Sequence, residues 1–240
     1  MDTLKEPTIG QIVANDYRTA QVFRNFGLDF CCGGKKTLME ACKKKNIDVE
    51  KVKKELLTLN SNDSDQHNYN SWSLDFLVDY IVNNHHRFVR QKLPEIEFYA
   101  HKVAKVHGKR HEELKEIERE FLMIKDELLN HMDKEELMLF PYIKQLVEFD
   151  KNRQKVDSKP QFKRAANPIR MMEEEHDEVG RAMAKIQRLS NNFTPPKDAC
   201  ATYQVLFQNL EGFQKDMHKH VHLENNILFP KAIELEQGLS

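Results

Sequence analysis

A motif of eleven residues occurs twice in this chain, as HMDKEELMLFP at residues 131–141 and as HVHLENNILFP at residues 220–230. Both copies spell His-x-x-x-Glu-x-x-x-Leu-Phe-Pro, and the apolar residues around them recur at intervals of three and four, the period of an amphipathic helix. Residues four apart share one face of a helix, so each histidine projects beside its glutamate. The motif therefore predicts long helices that carry two His/Glu pairs.

Few helix breakers interrupt the chain, which contains eight glycines and eight prolines among 240 residues. Asn167 is a suitable cap for a helix with Pro168 at its first position. We expect Pro141 and Pro230 to kink or end their helices. Four long helices of similar length predict an all-α fold with an antiparallel four-helix bundle. We place these helices at about 73–107, 109–148, 168–190 and 197–237.

The residues before the bundle show shorter helical patterns, TIGQIVAND, YRTAQVFRNF and DVEKVKKELLTL, and a glycine-flanked loop, GLDFCCGG. They predict a small helical domain at 1–60. Residues 61–71 are polar and lack aliphatic side chains, which is typical of a linker. The bundle then occupies 72–240. Within it, we interpret the basic stretch 150–166 as a long loop, to which we assign no function.

Each His/Glu pair lies on the apolar stripe of its helix. The neighbours seven and three positions before each histidine, and eight after it, are apolar: Ile124, Leu128 and Leu139 for His131, and Phe213, Met217 and Leu228 for His220. This places Glu135 and Glu224 on the buried side of the bundle. A buried, ionised carboxylate is costly unless another charge compensates it. Two of them beside histidines indicate a metal site.

The other two helices each offer a histidine at a matching distance. His176 lies 44 residues before His220, and His86 lies 45 residues before His131. His85 competes with His86, because consecutive helical residues differ by only about 100° on a broad face. The spacing favours His86.

Four histidines and two glutamates then converge from four helices on one dinuclear site. Nitrogen-rich ligation with bridging carboxylates suits iron best, although zinc and manganese accept the same ligand types. Six protein ligands leave both metals with open positions, which indicates chemistry with exogenous molecules. The predicted metal ligands are His86, His131, Glu135, His176, His220 and Glu224.

Two further carboxylates, Glu127 and Glu175, lie on or beside the same faces. We interpret each either as a base or proton path near the metals, or as a solvated or capping group. The remaining histidines are expected at the solvated surface, with contact to a neighbouring helix as an alternative for the last of them: His67, His101, His107, His111, His218 and His222.

Two of the four cysteines, Cys31 and Cys32, are adjacent and have glycines on both sides. The glycines predict a tight, exposed turn, and the two lysines that follow favour the thiolate, which attacks electrophiles and binds metals. We predict that this pair acts in the chemistry; burial as small residues is the alternative. Cys42 and Cys200 lie in helical patterns and are expected to be buried.

Charge and hydropathy limit the partners. The chain has 37 Lys and Arg against 38 Asp and Glu, which gives no basic field for nucleic acid or anionic lipid. The N-terminus lacks the apolar run of a signal peptide, and no segment approaches the roughly 18 apolar residues of a membrane span. We therefore expect a cytoplasmic protein with reduced cysteines and with neither a nucleic-acid nor a membrane partner.

The segment DFCCGGKKTL, followed by the linker and by HMDKEELMLFP, EEHDEVG and HLENNILFP, resembles the di-iron family for repair of iron centres, in which a Cys-Cys-Gly-Gly domain precedes a hemerythrin-like domain. The resemblance covers essentially the whole chain. It implies two non-haem iron ions with oxo and carboxylate bridges at the six positions named above, a reactive pair at Cys31 and Cys32, and a homodimer. The fifth histidine of oxygen-carrying hemerythrins has no counterpart here, which argues against reversible oxygen carriage.

The resemblance also implies a stress-response function, the repair of iron-sulfur clusters damaged by oxidative or nitrosative stress, by iron delivery or nitric oxide removal. The partners would be damaged iron-sulfur proteins, with nitric oxide or oxygen as small ligands. Two alternatives remain open: an enzyme that reduces nitric oxide or oxygen at the iron pair, and a module that binds and senses these gases. Turnover with a defined electron donor would favour the first, and reversible gas binding without net chemistry the second.

Overall fold

The computed structural model describes residues 6–59, 68–153 and 162–239. Within these ranges the secondary structure is helical, and the one bridge between extended residues, Thr8 with Thr37, lies outside any strand. The all-α class predicted from the sequence is confirmed.

Four short helices form the N-terminal part: α1 (Ile9–Asn15), α2 (Thr19–Asn25), α3 (Leu38–Lys45) and α4 (Val49–Leu57). Thr8 and Thr37 begin α1 and α3 with capping boxes, in which the threonine hydroxyl accepts a bond from a backbone N–H one turn on. The three helical patterns of the sequence correspond to α1, α2 and α4. The cysteine loop lies between α2 and α3.

Four long helices follow, and three of them contain a π-helical turn. The first bundle helix is α5 (Leu74–Tyr80), a π turn (Ile81–His86) and α6 (Arg87–His107); the second is α7 (Glu113–Lys134), a π turn (Glu135–Leu139) and α8 (Phe140–Lys151). The third is α9 (Ala166–Leu189), and the fourth is α10 (Ala201–Leu223), a π turn (Glu224–Leu228) and α11 (Phe229–Gly238).

The helices continue through both prolines of the repeated motif. Phe140 N–H donates to the Glu135 carbonyl, and Phe229 N–H donates to the Glu224 carbonyl, five residues back in each case. Proline lacks an N–H and crowds the carbonyl four residues before it. The wider π turn shifts the hydrogen-bonding register just before the proline, so neither proline ends its helix.

Helix α9 begins two residues earlier than expected. Ala165 is its N-cap, and Asn167 and Pro168 lie within the first turn. The Ala165 N–H donates to the Glu236 carboxylate of α11 at 3.0 Å. This carboxylate takes the place of the local asparagine cap, because an anion at a helix N-terminus is favoured whichever helix supplies it.

The bundle encloses a polar layer between two apolar ones. The first bundle helix packs against the second and the fourth, and the second packs against the third. On one side of the layer Phe121 of α7 meets Phe213 of α10, with ring centroids 5.7 Å apart. On the other side Phe140 and Phe229 are buried. Apolar walls on both sides lower the dielectric constant around any charge in the layer.

The end of the expected linker, 61–71, is ordered into a short helical turn. Residues 61–67 lie outside the described ranges, but Tyr69–Ser71 forms a 3-10 turn. Tyr69 is buried, with its ring edge-on to Trp72 at 4.8 Å and near Tyr80 at 5.9 Å. Polar composition predicted a linker here because composition alone does not show that the Tyr69 ring packs on Trp72 and Tyr80.

The stretch 150–166, expected as a loop, contributes its first two residues to α8 and Ala166 to α9, while residues 154–161 lie outside the described ranges. None of the helices in the described ranges is both long and apolar enough to cross a membrane.

Candidate metal centre

The polar layer is built around two glutamates that face each other inside the bundle. Glu135 and Glu224 are each 0 % exposed, and each is the first residue of a π turn. Their backbone N–H groups still donate to His131 and His220, respectively, four residues back. The predicted i, i+4 pairing is therefore an ordinary α-helical turn, and the wider turn begins just after it.

The structure divides the four histidines between two positions that share both glutamates. Position one contains His86 and His220, and position two contains His131 and His176. The two Nε2 atoms are 3.1 Å apart in position one and 2.9 Å apart in position two. Each pair joins one histidine of a His-x-x-x-Glu motif to the lone histidine of a helix that packs against it.

Both glutamates reach both positions. Glu135 Oε2 lies 3.4 Å from His86 Nε2 and 3.4 Å from His131 Nε2. Glu224 Oε1 lies 2.9 Å from His220 Nε2, and Glu224 Oε2 lies 3.2 Å from His176 Nε2. A carboxylate placed between two nitrogen pairs can bridge two metal ions.

Several polar atoms in this layer have no hydrogen-bond partner among the described residues. They include both carboxylate oxygens of Glu135 and Oε2 of Glu224. An unpaired, fully buried carboxylate oxygen is costly, whereas coordination to a metal ion compensates its charge and fills its lone pairs. The donor set of four imidazoles and two carboxylates therefore fits a pair of metal ions.

The layer holds its carboxylates as anions. Burial and the charge of Glu224 raise the pKa of Glu135, but the contacts with His131 and His86 together leave that pKa below its ordinary value. Burial likewise opposes the ionisation of Glu224, yet His220 and His176 hold its pKa well below the ordinary value. Two negative charges in a buried layer attract cations.

The residue that follows each motif glutamate orients a lone histidine. Glu136 Oε1 lies 2.8 Å from His86 Nδ1, and Asn225 Oδ1 accepts from His176 Nδ1 at 2.9 Å. Such partners fix the ring and its tautomer, so that Nε2 faces the two motif glutamates. Sequence reasoning missed both residues. The signal was present, because Glu136 and Asn225 occupy the same place in the two copies of the motif.

Glu175 is half-buried and contacts one of the predicted metal ligands. Its Oε2 lies 2.7 Å from His131 Nδ1, and its Oε1 also binds Lys134. His131 and Lys134, against the smaller effect of burial, lower the pKa of Glu175 to about 2. Glu127 is exposed, which matches its interpretation as a solvated group.

His85 is buried but lies outside both positions. Its Nδ1 is 2.9 Å from Asp216 Oδ1, and its ring stacks on that of His220, with centroids 5.5 Å apart and planes at 8°. His86, the neighbour that the spacing favoured, is the one that reaches the two glutamates.

Two histidines expected at the surface are covered by the N-terminal part. His222 is 0 % exposed and packs on Phe30 and Tyr17, and burial lowers its pKa to about 3. Burial also lowers the pKa of His218, which lies beside Phe30. The surface expectation was wrong for His222, and His218 is half-buried, because the covering domain is distant in sequence. His101 is exposed, whereas His67 lies outside the described residues.

The cysteines also differ from expectation. Cys31 is buried, not exposed, and the neighbouring Cys32, burial and Asp29 raise the pKa of its thiol well above the ordinary value. Lys35, expected to favour the thiolate, instead donates to both oxygens of Glu173, at 2.7 and 2.8 Å. Cys42 is buried as expected, but Cys200 is exposed as the N-cap of α10.

The cysteine loop packs directly on the bundle beside the polar layer. Cys32 Sγ lies 3.6 Å from the His176 carbonyl oxygen. Asn226, which follows the Asn225 partner of His176, donates to the carbonyls of Phe30 and Cys31 at 3.2 and 3.1 Å. Three consecutive residues, Glu224 to Asn226, thus connect the metal centre to the loop.

Comparisons with known proteins agree with this architecture. A family model described as Hemerythrin HHE cation binding domain matches residues 77–232, and a second, described as Domain of Unknown function (DUF542), matches residues 5–60. The first match includes all six residues of the two positions. It shows that the helical domain is of a cation-binding family.

Similar proteins match the chain over nearly its full length. The iron-sulfur cluster repair protein YtfE of Musicola paradisiaca (strain Ech703) is 35% identical over 97% of this chain and 98% of its own length. The proteins of the same name from Yersinia pestis (strain Pestoides F) and Yersinia pseudotuberculosis serotype O:3 (strain YPIII) are each 34% identical over 97% of this chain and 99% of their own. The chain therefore belongs to the hemerythrin HHE cation-binding family and, within it, to the family of the YtfE proteins.

Proposed function

We propose that this protein is a di-iron protein that repairs iron-sulfur clusters damaged by oxidative or nitrosative stress, by delivering iron or by removing nitric oxide. The observation that carries the proposal is the pair of buried carboxylates, Glu135 and Glu224, shared between two histidine pairs inside a domain of a cation-binding family. The repair role takes support from the relatives, whose name states it.

Six residues would hold the irons: His86 and His220 at one position, His131 and His176 at the other, and the two glutamates between them. Bound iron would supply redox chemistry and open coordination positions for small ligands. The protein orients the imidazoles through Glu136, Asn225 and Glu175, and apolar rings on both sides keep bulk water from the layer.

The cysteine loop is the second element of the proposal. Cys32 Sγ lies 3.6 Å from the carbonyl oxygen of His176, which places the cysteine pair beside the backbone of a position-two histidine. We assign Cys31 and Cys32 to the repair step itself and not to the folding of the metal centre.

The metal assignment is tested by iron analysis with Mössbauer spectroscopy of the anaerobically purified protein. We expect about two irons per chain, since two bridging carboxylates and four imidazoles would crowd a single ion. Changing both glutamates, Glu135→Ala with Glu224→Ala, should remove both irons. The matched control is Glu127→Ala on the same helix, which is exposed and should retain them. A full iron pair in the double variant would overturn the assignment.

The repair function is tested by reactivation of an enzyme whose iron-sulfur cluster has been damaged. The variant Cys31→Ser with Cys32→Ser should keep the iron pair of the bundle and lose most of the reactivation. Cys200→Ser, at an exposed cysteine that begins α10, should keep both the iron pair and the reactivation. Full reactivation by the double cysteine variant would remove the cysteines from the mechanism. Absence of reactivation by the intact protein would remove the repair function.

A further inference from the structure

The cysteine loop has the geometry of a metal site of its own. The two sulfur atoms, Cys31 Sγ and Cys32 Sγ, are 3.9 Å apart. Two thiolates on one tetrahedral ion, with bonds of about 2.3 Å, lie about 3.8 Å apart. The carboxylate of Asp29 adds an oxygen 3.2 Å from Cys31 Sγ. Ligand atoms of all three residues lie within 4.8 Å of one another.

The loop is held in this shape by its own backbone. Asp29 Oδ1 accepts bonds from the backbone N–H groups of Cys31 and Cys32, both at 3.1 Å. A side chain at Gly34 would collide with Asn226 Oδ1 at 2.4 Å and with the Phe30 carbonyl oxygen at 2.5 Å. The glycine is thus required for close contact with the bundle, and the ligand atoms converge without rearrangement of the chain.

The chemistry of the three side chains suits a cation. Thiolate sulfur and carboxylate oxygen are both metal ligands, and a bound cation stabilises two thiolates and a carboxylate together. Because the ligand atoms already lie within 4.8 Å of one another, one ion can contact all three.

The surroundings give access to such an ion. A cleft of about 200 Å³ between the loop and the third bundle helix is lined by both cysteines and by three carboxylates, Glu173, Glu174 and Asp177. Two cationic side chains, Lys35 and Arg170, also line it, and Lys35 pairs with Glu173. Three carboxylates against two cations leave the cleft with a net negative charge that can guide a cation toward the sulfur atoms.

We propose that Cys31, Cys32 and Asp29 form a binding site for one divalent cation with affinity for sulfur, separate from the two positions inside the bundle. Binding exchanges protons for metal: two thiols and one dication give a dithiolate complex and two protons released to solvent. Asp29 is the third ligand, and water completes the coordination. No electron is transferred in this step.

The loop site adds a step to the proposed repair function, and its biological role rests on that proposed function. Cys32 Sγ lies 3.6 Å from the carbonyl oxygen of His176, whose side chain belongs to position two, so the loop is a neighbour of that position. The loop would then hold one iron at the surface cleft, where a client protein can take it. The binding itself is independent of what the bundle carries.

Cobalt(II) is the probe for the test, because thiolate coordination gives a charge-transfer band in the near ultraviolet that His/Glu coordination does not give. The full-length protein should develop this band with the intensity of one thiolate-bound cobalt per chain, and should release two protons per cobalt bound at the loop. Cys31→Ser with Cys32→Ser should abolish the band. Cys200→Ser, at an exposed cysteine far from the loop, is the matched control and should leave it unchanged.

Asp29→Asn provides a finer variant, because the amide oxygen can still accept from the two N–H groups of the loop while the negative charge is lost. Loss of a residue that only orients a metal ligand weakens metal binding about 10- to 100-fold. Asp29 is proposed as a ligand itself, so we expect cobalt binding at the loop to weaken at least about tenfold. Circular dichroism checks that each variant keeps its helices. A band that survives in the double cysteine variant would overturn the proposal.

One further variant separates this proposal from the function proposed above. Glu135→Ala with Glu224→Ala should lose the metals of the bundle and keep the thiolate band, because the loop ligands are untouched. If the band disappears there while the helices remain, the loop is not an independent site and the inference is wrong. If the band remains but the intact protein holds no iron pair, the proposed function fails and the loop site stands.

Discussion

The two metal positions share both glutamates but differ in how their histidines are supported. In position two, His131 Nδ1 meets the Glu175 carboxylate at 2.7 Å and His176 Nδ1 meets Asn225 at 2.9 Å. In position one, His86 Nδ1 meets Glu136 at 2.8 Å, but within the described residues His220 Nδ1 has no hydrogen-bond partner. Three of the four histidines thus have a hydrogen-bond partner at Nδ1, and within the described residues His220 has none. The near-twofold symmetry of the sequence repeat is broken at this contact.

The sequence repeat also shows which residue accounts for this difference between the two positions. Glu175 immediately precedes His176, and the residue in the equivalent place before His86 is His85. Glu175 reaches across to His131, whereas His85 stacks on the ring of His220 and uses its Nδ1 for Asp216. A carboxylate partner raises the basicity of a ligating imidazole, and a stacked ring does not. We expect position two to hold its metal more tightly than position one.

Removal of a histidine from one position or the other should change the iron content more than any other substitution considered below. His131→Ala should empty position two and His220→Ala should empty position one, so that iron falls from about two to about one per chain in each variant, and the remaining iron should differ spectroscopically between them. Iron analysis and Mössbauer spectra measure both quantities. Identical spectra of the two single-iron variants would show that the positions are equivalent.

Removal of the outer carboxylates should give a smaller effect. Glu175→Gln should weaken metal binding at position two, and its match Glu136→Gln should weaken it at position one, by about 10- to 100-fold in each case. Competition with a chelator gives the two affinities. Because position two is the better supported one, Glu175→Gln should reduce or abolish the difference between positions and Glu136→Gln should increase it. The opposite order would contradict the asymmetry argued here.

His85→Ala should have the smallest effect. The ring is stacked on His220 but is not a member of either ligand group, so we expect the iron content to remain near two and only the spectrum of position one to change. His86→Ala is the matched variant on the neighbouring residue and should lose iron. Loss of iron in His85→Ala with retention in His86→Ala would exchange the assignments of these two histidines.

Sequence periodicity was sufficient for the fold class and for the six residues that meet in the polar layer. An i, i+4 pair depends only on the geometry of one α-helical turn, and a buried stripe depends only on the period of apolar residues along the same helix. His131 with Glu135, and His220 with Glu224, are of this kind. The lone histidines His86 and His176 followed from the internal repeat.

Other features required the packing of separate segments. The pairing of His86 with His220 and of His131 with His176 depends on which helices are neighbours, which spacing within one helix does not specify. The covering of His222 by Phe30, more than a hundred residues away, has the same cause.

The π turns mark the boundary between what the sequence by itself determined and what only the tertiary structure decided. The sequence placed Pro141 and Pro230 after the glutamates, and local sterics require some change of register there. That the change is a π turn, which brings Glu136 and Asn225 toward histidines on other helices, was decided by packing. So was the burial of Cys31 against the bundle, because exposure depends on surfaces that meet only in the folded chain.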